Sequence, residues 1–405
     1  MGTTRAEAPP RLLDLTRLVS RAGRPFTGID RVEYAYLDHL LTTGPLWGLV
    51  RTSLGYLLLG HDGCAALKRH IDRGDWPAPD RLSRLRGIAP ARAGAERALR
   101  RVAVARCLPP GLGRMLRGLP AGTHYLNTGH TGLTDRLVRA LRGVPGARIA
   151  VLLHDTIPLD HPEYCGEGIP QRFRSFLNRV GQAADLVICN SRVTEADLRR
   201  HLGPACPETV VAHLGVPRPK PGVAPEGPWT GQPYFVVLGT VEPRKNHALL
   251  LRLWQGDEPS ATARNSVPPD AHLLICGGRG WNNAAVFAAL DARPARVHEL
   301  PGLDDGQVAA LLADSAGLLF PSLAEGFGLP PVEAAALGVP VLSAELPVVR
   351  EVLQDIPVYA QVSEQYLWAR EITRMAADRH DVRRGAGNWT PPGWDAHFKT
   401  VLTLI

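Results

Sequence analysis

The stretch Pro321 to Glu345, PSLAEGFGLPPVEAAALGVPVLSAE, constrains this chain more than any other, because nearly every residue type in it restricts the backbone. Leu318 to Phe320 is a short apolar run suited to a buried parallel strand. Gly326 and Gly328 follow, and glycine accepts backbone angles that other residues resist. Pro330 and Pro331 suit a first helical turn, Glu333 falls inside it, and Ala334 to Leu337 continue it. Gly338 stops the helix, Pro340 prevents its resumption, and Val341 and Leu342 start the next strand. A strand, a glycine loop and a helix start in that order turn free backbone N–H groups and a positive helix end toward one place, which suits an anionic or hydroxyl-rich ligand. Glu325 and Glu333 flank that place. Each is either a ligand acceptor or, more plainly, a solvated loop residue and a complement to the helix dipole.

The same alternation of strand and helix runs through most of the chain and predicts an α/β protein with doubly wound parallel sheets. At 405 residues two cores are expected, and the proline- and glycine-rich segment 214–233 separates them near residue 222. Residues 1–222 then form a first domain and 223–392 a second. An apolar helix in 393–405 completes the chain. Strands are expected at Leu12–Leu18, Trp47–Val50, Tyr56–Leu59, Tyr125–Asn127, Arg148–Leu153 and Leu186–Cys189, and the pattern restarts at Tyr234–Leu238.

Polar residues at the carboxyl ends of such strands face the crevice where open α/β sheets bind ligands. His154 and Asp155 stand there after Leu153, and His130 follows another strand end; a satisfied core histidine is the simpler alternative for either imidazole. Ser191 lines the same crevice or caps the next helix. Gly28 and Arg31 sit at the entrance of a helix whose apolar face is Ile29, Val32, Tyr36, Leu37 and Leu40, with Thr27 or Asp30 as its cap. In the second domain, Gly239-Thr240-Val-Glu-Pro-Arg244-Lys245-Asn246 follows a strand and precedes a helix, a position from which two cations can neutralise a diphosphate. Arg279, in a later loop, either approaches the same ligand or is a surface charge.

These motifs resemble the retaining glycosyltransferases of family 4. The E-x7-E signature reads Glu325-Gly-Phe-Gly-Leu-Pro-Pro-Val-Glu333, the segment His154-Asp-Thr-Ile-Pro-Leu-Asp160-His-Pro resembles the H-D-x-I-P-L-x-H-P stretch of one subgroup, and G-T-x-E-P-R-K-N resembles its mannosyltransferase-like members. The resemblance implies the GT-B fold, two Rossmann-like domains facing across a cleft with the last helix crossing back to the first. It implies that Glu325 and His154 reach the donor sugar and that Glu333 meets the ribose. Arg244 and Lys245 would hold the leaving diphosphate, and Gly326, Phe327, Gly328, Leu329, Thr240, Arg279 and Ser191 would complete the donor site. Gly28, Arg31, Asp155 and His130 are assigned to the acceptor or to a phosphate loop. Most relatives carry arginine where this chain has Thr240, which leaves the second basic contact to Arg244. GDP-mannose is the favoured donor on this resemblance, and the acceptor is expected to be a saccharide or lipid-linked saccharide of a surface polysaccharide.

No D-x-D occurs and no His or Cys cluster has metal-ligand spacing, so no metal and no cofactor beyond the donor substrate are expected. The six cysteines are scattered, with no C-x-x-C, and no run reaches the roughly 18 apolar residues of a membrane span. A cytoplasmic protein is expected, peripheral at the inner face of the membrane if its basic belt meets lipid. That belt, residues 81–117, holds ten arginines against one acid, Glu96, and no aromatic residue. A solvated helical face and a contact with anionic lipid both fit it, while nucleic acid fits poorly without rings for base stacking. A sugar-nucleotide epimerase, a non-catalytic sugar-nucleotide binder and a basic membrane- or nucleic-acid-binding protein are the competing readings.

Overall fold

The computed structural model describes residues 9–80, 87–255, 267–378 and 389–405. Arg81 to Arg86, the start of the basic belt, lie outside them. The first lobe is built on an eight-stranded sheet of β1 (Arg11–Asp14), β2 (Leu46–Arg51), β3 (Tyr56–Leu59), β4 (Ala105–Cys107), β5 (His124–Asn127), β6 (Arg148–Leu153), β7 (Leu186–Cys189) and β8 (Glu208–Val211), in the order β4-β3-β2-β1-β5-β6-β7-β8. The second has six parallel strands, β9 (Tyr234–Leu238), β10 (His272–Cys276), β11 (Val297–Glu299), β12 (Gly317–Phe320), β13 (Val341–Ala344) and β14 (Val358–Ala360), in the order β11-β10-β9-β12-β13-β14.

Continuous apolar runs give strands that are buried on both faces. Along β6, Ile149, Val151 and Leu153 enter one core cluster while Ala150 and Leu152 enter the other. Along β9, Phe235 and Val237 face one core and Tyr234, Val236 and Leu238 the opposite one. Helices cover both sides, as a parallel sheet requires.

The first sheet carries an antiparallel edge on its parallel core: β3 pairs antiparallel with β2, because the chain between Arg51 and Tyr56 is far too short for a crossover, and β4 pairs antiparallel with β3. One expectation is corrected: the first strand ends early. Asp14 Oδ1 accepts from the Thr16 amide at 2.9 Å, and a short helix, Thr16–Ser20, replaces the expected continuation to Leu18.

Each sheet reverses its strand order once, between β1 and β5 in the first lobe and between β9 and β12 in the second. Loops leaving adjacent strands diverge there and open a crevice. The two lobes also share apolar packing: Phe320, Phe327, Val332 and Val352 belong to the same cluster as Ala212, Leu214 and Val216. The last helix, Trp394–Leu402, packs on the first lobe, where the Tyr36 hydroxyl and His397 Nε2 lie 2.7 Å apart and Phe398 meets the Tyr36 ring at 5.0 Å. Among the described residues no helix is long and apolar enough to cross a membrane, and all six cysteines are free thiols.

Candidate active site

The reversal between β9 and β12 brings the loop Gly239–Asn246 beside the loop Pro321–Gly328. The two are stitched together: the Leu323 amide donates to the Arg244 carbonyl at 2.8 Å, and the Arg244 guanidinium donates to the Ala324 carbonyl at 2.8 Å. Gly239 has φ of 123° and lies so close to Lys245 that a Cβ there would stand 3.2 Å from Lys245 Cε. Only glycine meets both demands.

Arg244, Lys245 and Glu325 therefore meet as a cluster. Lys245 Nζ lies 2.6 Å from Glu325 Oε1, Arg244 Nη1 lies 2.7 Å from Glu325 Oε2, and Arg244 also pairs with Glu242 at 2.6 Å. Burial alone would raise the Glu325 carboxyl, but the two cations override it and hold it at about 2. Glu242, 4% exposed, was not singled out from the sequence; its place in the same Glu-Pro-Arg-Lys-Asn run was the available signal.

Across from this cluster stands the end of β6. A Cβ on Gly326 would overlap the His154 carbonyl and stand 2.9 Å from Asp155 Cβ, so glycine is what lets the second lobe approach the first. His154 is buried, its Nε2 donating to the Thr128 carbonyl at 2.7 Å, which leaves Nδ1 as the lone-pair nitrogen. Burial lowers this imidazole to about 4, so it is neutral. Asp155 is pushed up to about 6 by burial, with Arg244 opposing and Glu325 adding to the rise. His130, at φ of 55°, accepts the His154 amide on Nε2 at 3.0 Å and meets its ring edge on at 4.8 Å, so it stands behind the strand end and orients it. Asn190, another residue not singled out, fixes the His154 carbonyl with its side-chain amide at 2.8 Å.

Other residues expected at the site stand further out. Ser191 is buried and caps the helix Arg192–Leu202, accepting from the Thr194 amide at 3.0 Å. The Thr240 side chain is exposed. Arg279 is committed to Glu299 at 2.7 Å and Asp291 at 2.8 Å and is not brought to the Arg244 cluster. Arg31, on the helix Gly28–Thr43, crosses between lobes to Glu333 at 2.5 Å and Asp305 at 2.6 Å. Burial raises the Glu333 carboxyl, with Arg31 opposing. Gly28 lies against Leu329, a Cβ there standing 3.0 Å from Leu329 Cδ1, while Phe327 is buried in the shared cluster and Gly328, at φ of 87°, precedes the helix Leu329–Leu337.

The two glutamates consequently face different spaces. Glu333, Arg31, Gly28 and Leu329 line a cavity of about 660 Å³, whereas Glu325 and Asp155 line a smaller one of about 200 Å³. Further cross-lobe contacts hold the closure. The Trp281 indole donates to the Tyr164 carbonyl at 2.9 Å, and Glu351 accepts from the Arg192 amide at 2.8 Å, at the start of a helix. Among the described residues no group of three or more His, Cys, Asp or Glu side chains could hold a metal ion.

Residues 224–384 match the family model described as glycosyl transferases group 1. The serotype-specific mannosyltransferase WbdA of Escherichia coli is 31% identical over 247 residues, which cover 55% of this chain but only 28% of that protein. A D-inositol 3-phosphate glycosyltransferase of Streptomyces bingchenggensis (strain BCW-1) is 29% identical over 312 residues, 67% of this chain and 63% of the relative. This chain thus spans about a quarter of the length of WbdA. Among solved structures, Anabaena HepE in complex with UDP-glucose superposes with a TM-score of 0.63 at 16% identity, covering 98% of this chain and 96% of that one. The lipopolysaccharide glycosyltransferase WaaG gives 0.57 at 12% identity, covering 96% and 99%. Residues 224–384 thus resemble the group 1 glycosyl transferases, the chain shares the GT-B fold of its solved neighbours, and mannosyltransferases are among its relatives.

Proposed function

We propose that this protein transfers a sugar, mannose by preference, from a nucleotide-diphosphate donor to a saccharide or lipid-linked saccharide acceptor during surface polysaccharide synthesis in the cytoplasm. The observation that carries the reading is the Arg244–Lys245–Glu325 cluster at the strand reversal, facing His154 and Asp155 across Gly326. The mannosyltransferase relative supports the choice of sugar, and GDP-mannose is the donor proposed with it.

In this mechanism the charge that develops on the leaving diphosphate is met by Arg244 and Lys245, already fixed in place, with no metal or cofactor required. Glu325, which pairs with both cations, turns to the donor sugar when the diphosphate takes its place beside them. Glu333 likewise exchanges Arg31 for the ribose hydroxyls. His154, a neutral imidazole with Nδ1 open, accepts from a sugar hydroxyl. The anomeric configuration is retained by front-face transfer: the bond from the anomeric carbon to the phosphate oxygen breaks, the acceptor oxygen attacks from the same side, and the leaving phosphate oxygen takes its proton. The lobes part to admit donor and close to exclude water.

The test is a panel of sugar nucleotides offered with EDTA and a mannose-containing acceptor, reading nucleoside diphosphate release and the anomeric configuration of the product by NMR. GDP-mannose should turn over fastest, with retention and without loss to the chelator. Turnover abolished by EDTA, or a sugar altered with no acceptor present, would overturn the reading.

A further inference from the structure

The outer edge of the first sheet carries a surface that the sugar site does not use. Strand β4 pairs with β3 on one side and ends the sheet on the other. An open, apolar edge strand is a liability that proteins ordinarily cover or charge. Here side chains alternate along it: Val104 and Leu108 are 59% and 68% exposed, with exposed Arg106 between them, and Val102, 42% exposed, lies just before. Three of the large apolar side chains that the fold leaves in solvent thus fall within seven residues.

Charge at this edge is predominantly positive. Behind it, a cavity of about 740 Å³ is lined by Leu54, Arg97, Arg100, Arg101, Arg106 and Leu108. The nearby acids are already engaged: Asp80 pairs with Arg100 at 2.5 Å, and buried Glu96 accepts from the Ser53 hydroxyl at 2.7 Å and from Arg92 at 3.1 Å. Arg97 donates to the Ala78 carbonyl at 2.7 Å, and Arg101 and Arg106 form no ion pair among the described residues.

We infer that the 101–108 edge docks this protein on an anionic phospholipid surface, Val102, Val104 and Leu108 entering the boundary between headgroups and acyl chains while Arg101 and Arg106 meet lipid phosphates. Exposed aliphatics flanked by unpaired guanidiniums supply the two contributions that interfacial binding needs, apolar burial and attraction to anionic lipid. Aliphatic side chains rather than rings, and a strand edge rather than a groove, set this surface apart from one that stacks nucleic-acid bases. The inference is independent of the proposed sugar transfer.

The experiment is co-sedimentation of the full chain, without any sugar nucleotide, with vesicles of phosphatidylcholine alone or with one-third phosphatidylglycerol. Binding is expected to the anionic vesicles only, and to be lost at high salt. The double substitution Arg101→Glu with Arg106→Glu should weaken it about 30-fold or more, and Val104→Ser with Leu108→Ser about tenfold. Both pairs lie on the surface, and unchanged melting temperatures would show that the fold is kept. Equal binding to both vesicle types, wild-type binding by both double variants, or a solution dimer broken by the Val104/Leu108 pair without any vesicle binding would overturn the inference.

Discussion

Two carboxyl groups near the lobe interface show how environment alone sets opposite ionisation. Glu325 sits between Arg244 and Lys245 and stays ionised down to about 2, while Asp155, buried with weaker compensation, keeps its proton up to about 6. The sign for stability follows from comparing folded and unfolded chains. An unfolded Asp releases its proton near pH ~4, so between there and pH 6 folding takes up a proton at Asp155 and stability falls as pH rises. Asp155→Asn keeps an acceptor for the Ile157 amide, now 3.1 Å from Oδ1, and removes the charge. It should stabilise the protein at pH 7.5 by about 1–3 kcal/mol and be nearly neutral at pH 4, as read by urea denaturation at both pH values. The reverse order would show that the carboxylate is compensated in the folded state. Glu325 behaves oppositely, its stabilisation being present above the ordinary carboxylate range and lost as pH falls toward 2. Deleting its side chain would leave buried Lys245 without its carboxylate while Arg244 keeps Glu242, a loss of about 3–5 kcal/mol, so Glu325→Gln, which keeps an acceptor oxygen and the packing, is a better probe of its role than Glu325→Ala.

At the scale of elements, the loops after β9 and β12 and the end of β6 make the site, and glycine sets how closely they meet. Gly326→Ala places a methyl group against the His154 carbonyl and Asp155. It should cost about 1–3 kcal/mol as an overpacked contact and lower turnover sharply. Gly338→Ala is the control: φ there is 77° and nothing lies within 4 Å of the added atom, so it should cost about 1 kcal/mol and leave turnover intact. Thermal melts and initial rates on the two variants separate the cases, and equal rates would mean that the approach at Gly326 is incidental. Much of this was legible in the sequence, because the strands that carry the site are unbroken apolar runs and their loops are marked by glycine and proline. The pairing of β3 and β4 was not, since a short Val-, Leu- and Arg-containing segment reads alike on a parallel or an antiparallel edge. Ser191 was equally ambiguous, because the same hydroxyl serves as helix cap or crevice lining until Thr194 is seen 3.0 Å away.

For the whole molecule, the determining feature is the closure of two lobes on each other. Arg31 reaches Glu333 and Asp305, Glu351 caps the helix at Arg192, and Trp281 holds Tyr164, so residues of the two lobes satisfy one another across the interface. Sequence motifs singled out Arg31 and Glu333 but not Glu351, Arg192, Trp281 or Tyr164, and none of these pairings, which join positions up to about 300 apart in the chain and depend on how the lobes meet. In this account a donor replaces internal partners: phosphate for Glu325 at the cations, ribose for Arg31 at Glu333. Its central claim is that Lys245 from one lobe and His154 from the other act on the same sugar nucleotide. The most direct test is sugar-dependent release of nucleoside diphosphate by wild type, Lys245→Ala and His154→Ala, each shown by its melting curve to be folded. The account predicts that both variants lose about 100- to 1,000-fold in turnover; a wild-type rate in either one would contradict it.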